Sequence, residues 1–570
     1  MTPDFFNRSI LTRQLWTFRK EFMWVGVFSL IANLLMLTPS IYMLQVYDRV
    51  MKSQNELTLL MLTLFMILFF GIMAFAEWLR TRLLVRVGVR LDESFNSLVF
   101  NSSFEAWLNN AQELGQNSFA DLTNIRQFLT ANGIIAFFDT PWTPVYIAVI
   151  FLLNPFLGWL SVIFACVQLG IAGLSHYVSS REIETATEAG SNSFRYVQSK
   201  LRNIEPIYAM GMIGNIREHW NDLHEQSLVT VGGSLETQHR LQAFTKFVRY
   251  SMQSLTLGAG GFLVIQGKMS AGAMIAANLL MSRALQPLDL VVATWKPFVQ
   301  AKAAFSRLEK LLQDYSGRPG EEGLAAPTGN VKIEELTATV SGRQEPILYS
   351  INAEIQAGSV VVIIGPSGAG KSTLARCIIG IWPQREGNVL LDGTPIERWK
   401  REELGPHIGY LPQDIELFDG TIAENIARFN ELDSEKVIEA ARKSGIHEMI
   451  LRFPNGYDTP IGEAGSMLSG GQRQRLGLAR AIYGNPAIVV LDEPNANLDS
   501  TGEKSLMEVV QGLKMAGKTV ILITHRPGIV ALADQLLLMQ QGRILKSGPK
   551  DQVIPTLRPT VKPVPVVAAT

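Results

Sequence analysis

The nine residues "GPSGAGKST", Gly365 to Thr373, have the composition of a loop built to hold phosphate. The apolar run "SVVVII" precedes them and the helical run "LARCIIG" follows, so Gly365, Pro366, Ser367, Gly368, Ala369 and Gly370 form a turn between strand and helix. Such a turn aims backbone N–H groups and a helix N-terminus at an anion. Lys371 reaches the β- and γ-oxygens of a nucleotide, Ser372 offers a Mg²⁺ ligand, and Thr373 completes the loop. Further on, "AIVVLDEP" (Ala487 to Pro494) is an apolar strand that delivers two adjacent carboxylates at its end. Asp492 would hold Mg²⁺ through water, and Glu493 would polarise an attacking water. Paired acids by themselves usually mark a solvated turn; behind an apolar strand and beside a phosphate loop they read as a hydrolytic pair.

These residues need a rigid α/β frame, and residues 331–550 supply its pattern: β-rich runs alternating with helical ones. The chain has 570 residues, 47% of them apolar and only 18% charged. An ordinary soluble domain is about a quarter charged, so the deficit points to a membrane region beside a normal soluble one. Six apolar stretches near 22–44, 57–78, 134–153, 156–177, 247–266 and 271–292 approach the roughly 20 residues that cross a bilayer as a helix. The third is interrupted by "FDTPWTP", with two prolines and a charge. "NP" (Asn154, Pro155) and "GKMS" (Gly267 to Ser270) are too short for anything but tight hairpins. Long polar segments follow spans two and four with helical spacing, predicting helices that run on below the membrane.

Cations from Arg80 to Arg126 and from Arg181 to Lys246 fill those segments, against Arg49, Lys52 and Lys268 in the opposite loops, which places the amino terminus and the long segments in the cytoplasm. Residues 1–21 are polar, and the apolar run after them is too long for a secretory signal, so it reads as a retained anchor. Residues 22–315 form the expected membrane region, 316–330 a linker rich in Gly and Pro, and 551–570 a Pro-rich tail expected to be disordered. Lys plus Arg equals Asp plus Glu at 51 each, which gives no sign of nucleic-acid binding. Cys166 and Cys377 are expected to be small buried apolar residues, with no disulfide implied.

The soluble half resembles the nucleotide-binding domain of ABC ATPases: "YLPQD" around Gln413, "MLSGGQRQRLGLARAIYGNP", "NANLD" ending at Asp499 and "ITHRP" around His525 occur in that family's order. The resemblance implies ATP with Mg²⁺. Ser469, Gly470, Gly471 and Gln472 would then contact ATP held on an opposing domain, Gln413 would sense Mg²⁺, His525 would contact the γ-phosphate, and Asp499 would join the nucleotide site. The expected fold is therefore an α-helical membrane domain of six transmembrane helices, of ABC exporter type, followed by an α/β P-loop ABC ATPase domain. One phosphate loop and one signature loop per chain imply a homodimer.

"PIGEAGSMLSGG", with Glu463, resembles the segment typical of exporters. "LTPSIYMLQVYDRVM", "FFDTPWTPVYIAVIFLLNPFLGW" and "RALQPLDLVVATWKPFVQAKAAFSRLEKLL" resemble the type I secretion ABC transporters of the protease and lipase exporter group. That likeness implies an inner-membrane ATPase that exports unfolded protein with C-terminal signals, together with a membrane-fusion adaptor and an outer-membrane channel. Haemolysin-type relatives begin with a peptidase-like domain, and with only about twenty residues before the first span such a domain is not expected here. The rival readings are an exporter of lipid or drugs, which shares the ATPase motifs, and a non-transport ABC ATPase, which would lack membrane spans. Arg283, deep in the sixth span and followed by Asp289, should face a wet interior; the alternative is that it snorkels to the surface.

In "ATVSG" (Ala338 to Gly342), Val340 stands where the family usually stacks an aromatic residue on adenine. Val340→Tyr should therefore tighten ATP binding by about 1–3 kcal/mol and raise the preference for ATP over bare triphosphate. Calorimetric titration with both ligands checks this, and equal affinities in the two proteins would show that another residue covers the base.

Overall fold

The computed structural model describes residues 10–201, 203–315, 323–340, 345–462, 465, 467–496, 498 and 500–553. The chain divides into two compact units, a helical one ending near residue 316 and an α/β one after it.

In the helical unit, Arg19–Ser53, Glu56–Leu108, Ser118–Leu153, Pro155–Leu201 and Ala271–Ala293 are long and apolar enough to cross a membrane. The expected fifth span forms the end of the helix Ile213–Ile265. Arg249, Gln253 and three glycines make it less apolar than the others. The helices Glu56–Leu108 and Ile213–Ile265 have 53 residues each and Pro155–Leu201 has 47. At about 1.5 Å per residue these are roughly 70–80 Å long, more than twice the hydrocarbon thickness of a bilayer. The polar segments are thus continuations of the spanning helices. Leu57, Leu60, Leu64, Phe65, Ile67 and Leu68 lie exposed along Glu56–Leu108, as expected where the surrounding solvent is lipid. Cys166 is exposed on Pro155–Leu201, contrary to the expectation of a buried residue, whereas Cys377 is buried. Burial pushes the Cys377 thiol up to about 12.

Away from the apolar spans the unit has its own core. Val87, Leu91, Phe95 and Val99, spaced at i, i+4, pack with Leu122, Ile125, Ala304, Leu308 and Leu311. Arg307 closes this bundle by donating from Nε to Asp121 Oδ2 at 2.9 Å and from a terminal nitrogen to Oδ1 at 2.5 Å.

"FDTPWTP" resolves into a broken helix. Asn132–Asp139 is helical, Thr140–Trp142 is a single 3₁₀ turn, and Thr143–Leu153 resumes the α-helix. Pro141 and Pro144 have no N–H to give an unbroken ladder. The charge at the break is satisfied: Asp139 Oδ1 accepts from Ser29 Oγ at 2.5 Å, from Asn33 Nδ2 at 2.8 Å and from Arg80 at 3.0 Å. Tyr146 then donates to Asn33. Arg80, one of the cations expected to lie in water, is in fact buried. Asp289 is held in the same manner, by Arg249 at 2.9 Å and by Gln168.

The described residues of the α/β unit form ten strands: β1 (Val331–Ala338), β2 (Leu348–Ile355), β3 (Val360–Ile364), β4 (Arg385–Leu391), β5 (Thr394–Pro395), β6 (Ile408–Leu411), β7 (Ile488–Asp492), β8 (Thr519–Ile523), β9 (Gln535–Gln540) and β10 (Arg543–Pro549). One sheet has the order β2-β1-β4-β5 and the other β10-β9-β3-β8-β7-β6. Every residue of β3, β7 and β8 is buried, which is why these strands read as unbroken apolar runs. The end of the expected linker belongs to this unit: backbone amides of Thr328 and Asn330 donate to Asp392. Although burial acts the other way, these bonds hold the Asp392 carboxyl below the usual carboxylate range. The expected disordered tail from residue 554 lies outside the described residues.

Removing one member of a buried ion pair leaves its partner without a counter-charge, typically at a cost of about 3–5 kcal/mol. Arg80→Met should lower the unfolding temperature of the solubilised protein, and Arg80→Met with Asp139→Asn should recover most of the loss. A double variant no more stable than the single one would show that the pair does not hold the break.

Candidate nucleotide-binding site

Strands β3, β8, β7 and β6 are neighbours and run parallel, so their C-terminal ends share one edge of the sheet. The register sets Ile363 beside Ile523, and Ile523 beside Asp492. The loop Gly365–Thr373 therefore leaves the sheet next to the segment carrying His525, which leaves next to Asp492 and Glu493. Gln413 follows β6 at the outer position, and both Gln413 and His525 are exposed. Ligands of parallel α/β sheets bind at this kind of edge.

The phosphate loop is braced from behind. Ala369 O accepts from the Gly542 amide at 3.2 Å. A Cβ on Gly365 would lie 2.2 Å from the Met539 carbonyl oxygen, so only glycine lets the loop pass β9. Gly370 has φ +91° and would strike Leu348 at 2.7 Å, so both conformation and space require glycine there. Lys371 begins the helix Lys371–Ile378 and is buried. Its Nζ donates to the carbonyls of Gly365 and Pro366, each at 2.9 Å. The ammonium is thus fixed inside the turn rather than swinging in solvent.

Asp492 is 1% exposed, and neither carboxylate oxygen has a hydrogen-bond partner. Burial pushes its carboxyl above the ordinary range, as does Glu493; Ser372, Arg376 and Lys371 pull it back. The Ser372 hydroxyl is near enough to favour the ionised form without meeting hydrogen-bond geometry. A buried carboxylate with two free oxygens beside a hydroxyl suits Mg²⁺, a hard ion that keeps several waters and phosphate oxygens as ligands. Among the described residues no group of three or more His, Cys, Asp or Glu could hold a metal, so such an ion would depend on the phosphates themselves.

Glu493 has φ +47°, a conformation that residues with a Cβ adopt rarely and at a cost of about 1–3 kcal/mol. Its amide continues the sheet to Ile523 O at 3.0 Å, and its carbonyl accepts from Gln474 Nε2 at 3.2 Å. Gln474 was not singled out in the sequence. A signal existed, since it shares the i, i+4, i+7 stripe of Leu478 and Ala481, and a glutamine on an apolar stripe needs a partner.

Gln474 lies in the helix Gly470–Ile482, whose N-cap is Ser469. Ser469 and Gln472 bond each other reciprocally, Gln472 N to Ser469 Oγ at 3.3 Å and Ser469 N to Gln472 Oε1 at 2.8 Å. Gly470 and Gly471 occupy the first turn, which leaves an anion-receptive helix N-terminus uncrowded by side chains. No hydrogen bond or ion pair among the described residues joins Ser469–Gln472 to the phosphate loop of the same chain. Asp499 and Glu463 lie outside the described residues. Val340 is half-buried, and the Trp382 indole donates to the carbonyl of its neighbour Thr339 at 3.0 Å.

The ABC transporter family matches residues 348–496, and the ABC transporter transmembrane region matches residues 22–288. The type I secretion system ATP-binding protein PrsD of Rhizobium meliloti (strain 1021) is 40% identical over 544 residues, covering 95% of this chain and 94% of that protein. The chain belongs to the type I secretion ABC transporters. The toxin RTX-I translocation ATP-binding protein of Actinobacillus pleuropneumoniae is 27% identical to this transporter, over 94% of the chain and 77% of the relative. A bacterial Atm1-family ABC exporter with ATP bound shares the fold, with a TM-score of 0.80, 21% identity and coverage of 95% and 96% of the two chains. The transporter is accordingly an ATP hydrolase whose turnover is coupled to transport, with the ABC exporter fold of a membrane domain followed by an ATPase domain.

Lys371→Ala should abolish ATP turnover, because the transferred phosphoryl group loses its cationic contact. The liberation of phosphate by the purified transporter measures this, and turnover near wild type would place the phosphate site elsewhere.

Proposed function

We propose that this transporter uses ATP to drive unfolded polypeptides carrying C-terminal secretion signals out of the cytosol, across the inner membrane of a Gram-negative cell. The observation that carries the reading is the 40% identity to a type I secretion ATP-binding protein over nearly the whole chain, membrane half included. The name of the RTX-I relative, a toxin translocation protein, supports a polypeptide cargo over lipid.

The working unit is a homodimer. Each copy offers one phosphate loop and one signature helix, with no hydrogen bond or ion pair between them among the described residues, so head-to-tail pairing sets the Ser469 helix terminus of one copy against the loop of the other. Residues 365–373 hold the triphosphate, with Lys371 neutralising its terminal oxygens. Ser372, Asp492 and Gln413 would hold Mg²⁺, which would supply positive charge to screen the phosphates. Glu493 orients the attacking water, and His525 and Asp499 complete the site. Residues 22–315 form the membrane part and 331–550 the ATPase part, with the ATPase in the cytoplasm. A membrane-fusion adaptor and an outer-membrane channel continue the path to the medium.

In a secretion-deficient Gram-negative host, the transporter with its adaptor and channel should release a signal-bearing cargo into the medium. Glu493→Gln should stop release while ATP still binds, and deleting the cargo's C-terminal segment should also retain it inside. Immunoblots of medium and cells read both. Export that persists without the segment, or ATP-driven lipid flipping that ignores the cargo, would replace this reading with the lipid-exporter one.

A further inference from the structure

Two aspartates in the spans have arginine partners on other helices, whereas Arg283 has no carboxylate within ion-pair distance among the described residues. Asp139 is paired with Arg80 at 3.0 Å and Asp289 with Arg249 at 2.9 Å. Arg283 donates only to the neutral Gln286 Oε1, at 3.0 Å. It stands twelve residues on from Ala271, about 18 Å along the helix. The Arg283 side chain is half-buried, and Gln286 is exposed. Arg283 lines a cleft of about 50 Å³ together with Asn33, Asp139, Tyr146 and Gln286. Asp139 cannot serve as a dedicated counter-ion there, since its Oδ1 already accepts from Ser29, Asn33 and Arg80. The one carboxylate that lines the cleft, Asp139, is thus bonded to Arg80.

We infer that this cleft is a carboxylate-binding subsite for the exported polypeptide, with Arg283 as its anion-binding group. The inference rests on the protein-export reading. A guanidinium presents five donors in a planar fork that matches a carboxylate through two parallel bonds. The cleft has room for a few waters, and hence for one carboxylate that displaces them. A guanidinium with no carboxylate of its own at this depth favours an acidic group that displaces the water, and returns to its hydrated state when that group leaves. The carboxylate can belong to an Asp or Glu side chain or to the chain terminus.

The test uses the full-length transporter in phosphatidylcholine nanodiscs and three fluorescent unfolded peptides of equal length. One carries spaced glutamates and an amidated end, one has glutamine at those positions with an amidated end, and one has glutamine with a free C-terminal carboxylate. Anisotropy should show the unaltered transporter binding a carboxylate-bearing peptide about tenfold more tightly than the neutral one, the scale of one charge-assisted hydrogen bond. Preference for the first peptide assigns the subsite to side chains, and preference for the third assigns it to the terminus. Arg283→Gln should erase the preference, and Arg283→Lys should keep part of it. Equal binding of all three by the unaltered protein overturns the subsite while leaving protein export standing. A preference that survives Arg283→Gln overturns it equally. If no peptide binds, the subsite is overturned, and the export reading is decided by the secretion assay alone.

Discussion

The parallel pairing of β3 with β8 and of β8 with β7 is the constraint on which the nucleotide site depends. Lys371 and Asp492 are more than a hundred residues apart in the chain, and only this register places the turn after one strand beside the carboxylate that ends the other. Side chains alternate along a strand, so a slip of one residue would turn Asp492 to the opposite face of the sheet. The complete burial of β3, β7 and β8 makes that slip costly, because each strand packs helices or sheet on both sides. The brace from β9 and β10 then fixes the glycine-rich turn, and a bond from Gln474 ties the carbonyl of the strained Glu493 to the helix Gly470–Ile482. The sheet edge that carries Asp492 and Glu493 is thereby tied to the helix Gly470–Ile482.

The helical unit solves a different problem. Its outer face is apolar and exposed, as along Glu56–Leu108, and lipid tails are as apolar as leucine, so burial alone does not select one arrangement of helices. Polar ties supply the selection. Asp139 joins the break in its own helix to Arg19–Leu35 through Ser29 and Asn33, and to Glu56–Leu108 through Arg80. Asp48 accepts from Ser270 and from the Gly272 amide, where a Cβ would lie 2.7 Å from the Asp48 carboxyl carbon. Each tie is directional and expensive to leave unmade in a low dielectric, and each links segments distant in sequence.

Much of this was legible in the sequence because the signals are local. The phosphate loop, the carboxylate pair, the signature helix and the apolar spans are each specified by consecutive residues or by short periodicities. Even the break at "FDTPWTP" is written in its prolines. The fates of Arg80, Cys166 and Gln474 were not legible. Which face of a helix meets another helix depends on crossing geometry, and composition carries no record of it. A polar segment with many arginines reads as solvated until one of them is found buried against Asp139.

What the sequence by itself determined was the inventory: a glycine-rich loop of nucleotide-binding type, two adjacent carboxylates at the end of an apolar strand, and enough apolar length to cross a bilayer repeatedly. Those depend on residue type and nearest spacing, which a linear chain carries in full. The tertiary structure decided which charges are paired and which one is left over. Arg80, Arg249 and Arg283 are the same residue type in comparable apolar surroundings, yet the first two meet aspartates and the third lines a cleft with a neutral glutamine. That distinction is set by distances of about 3 Å between helices far apart in the chain, where electrostatic pairing falls off within a few ångströms, and only the folded arrangement fixes such distances.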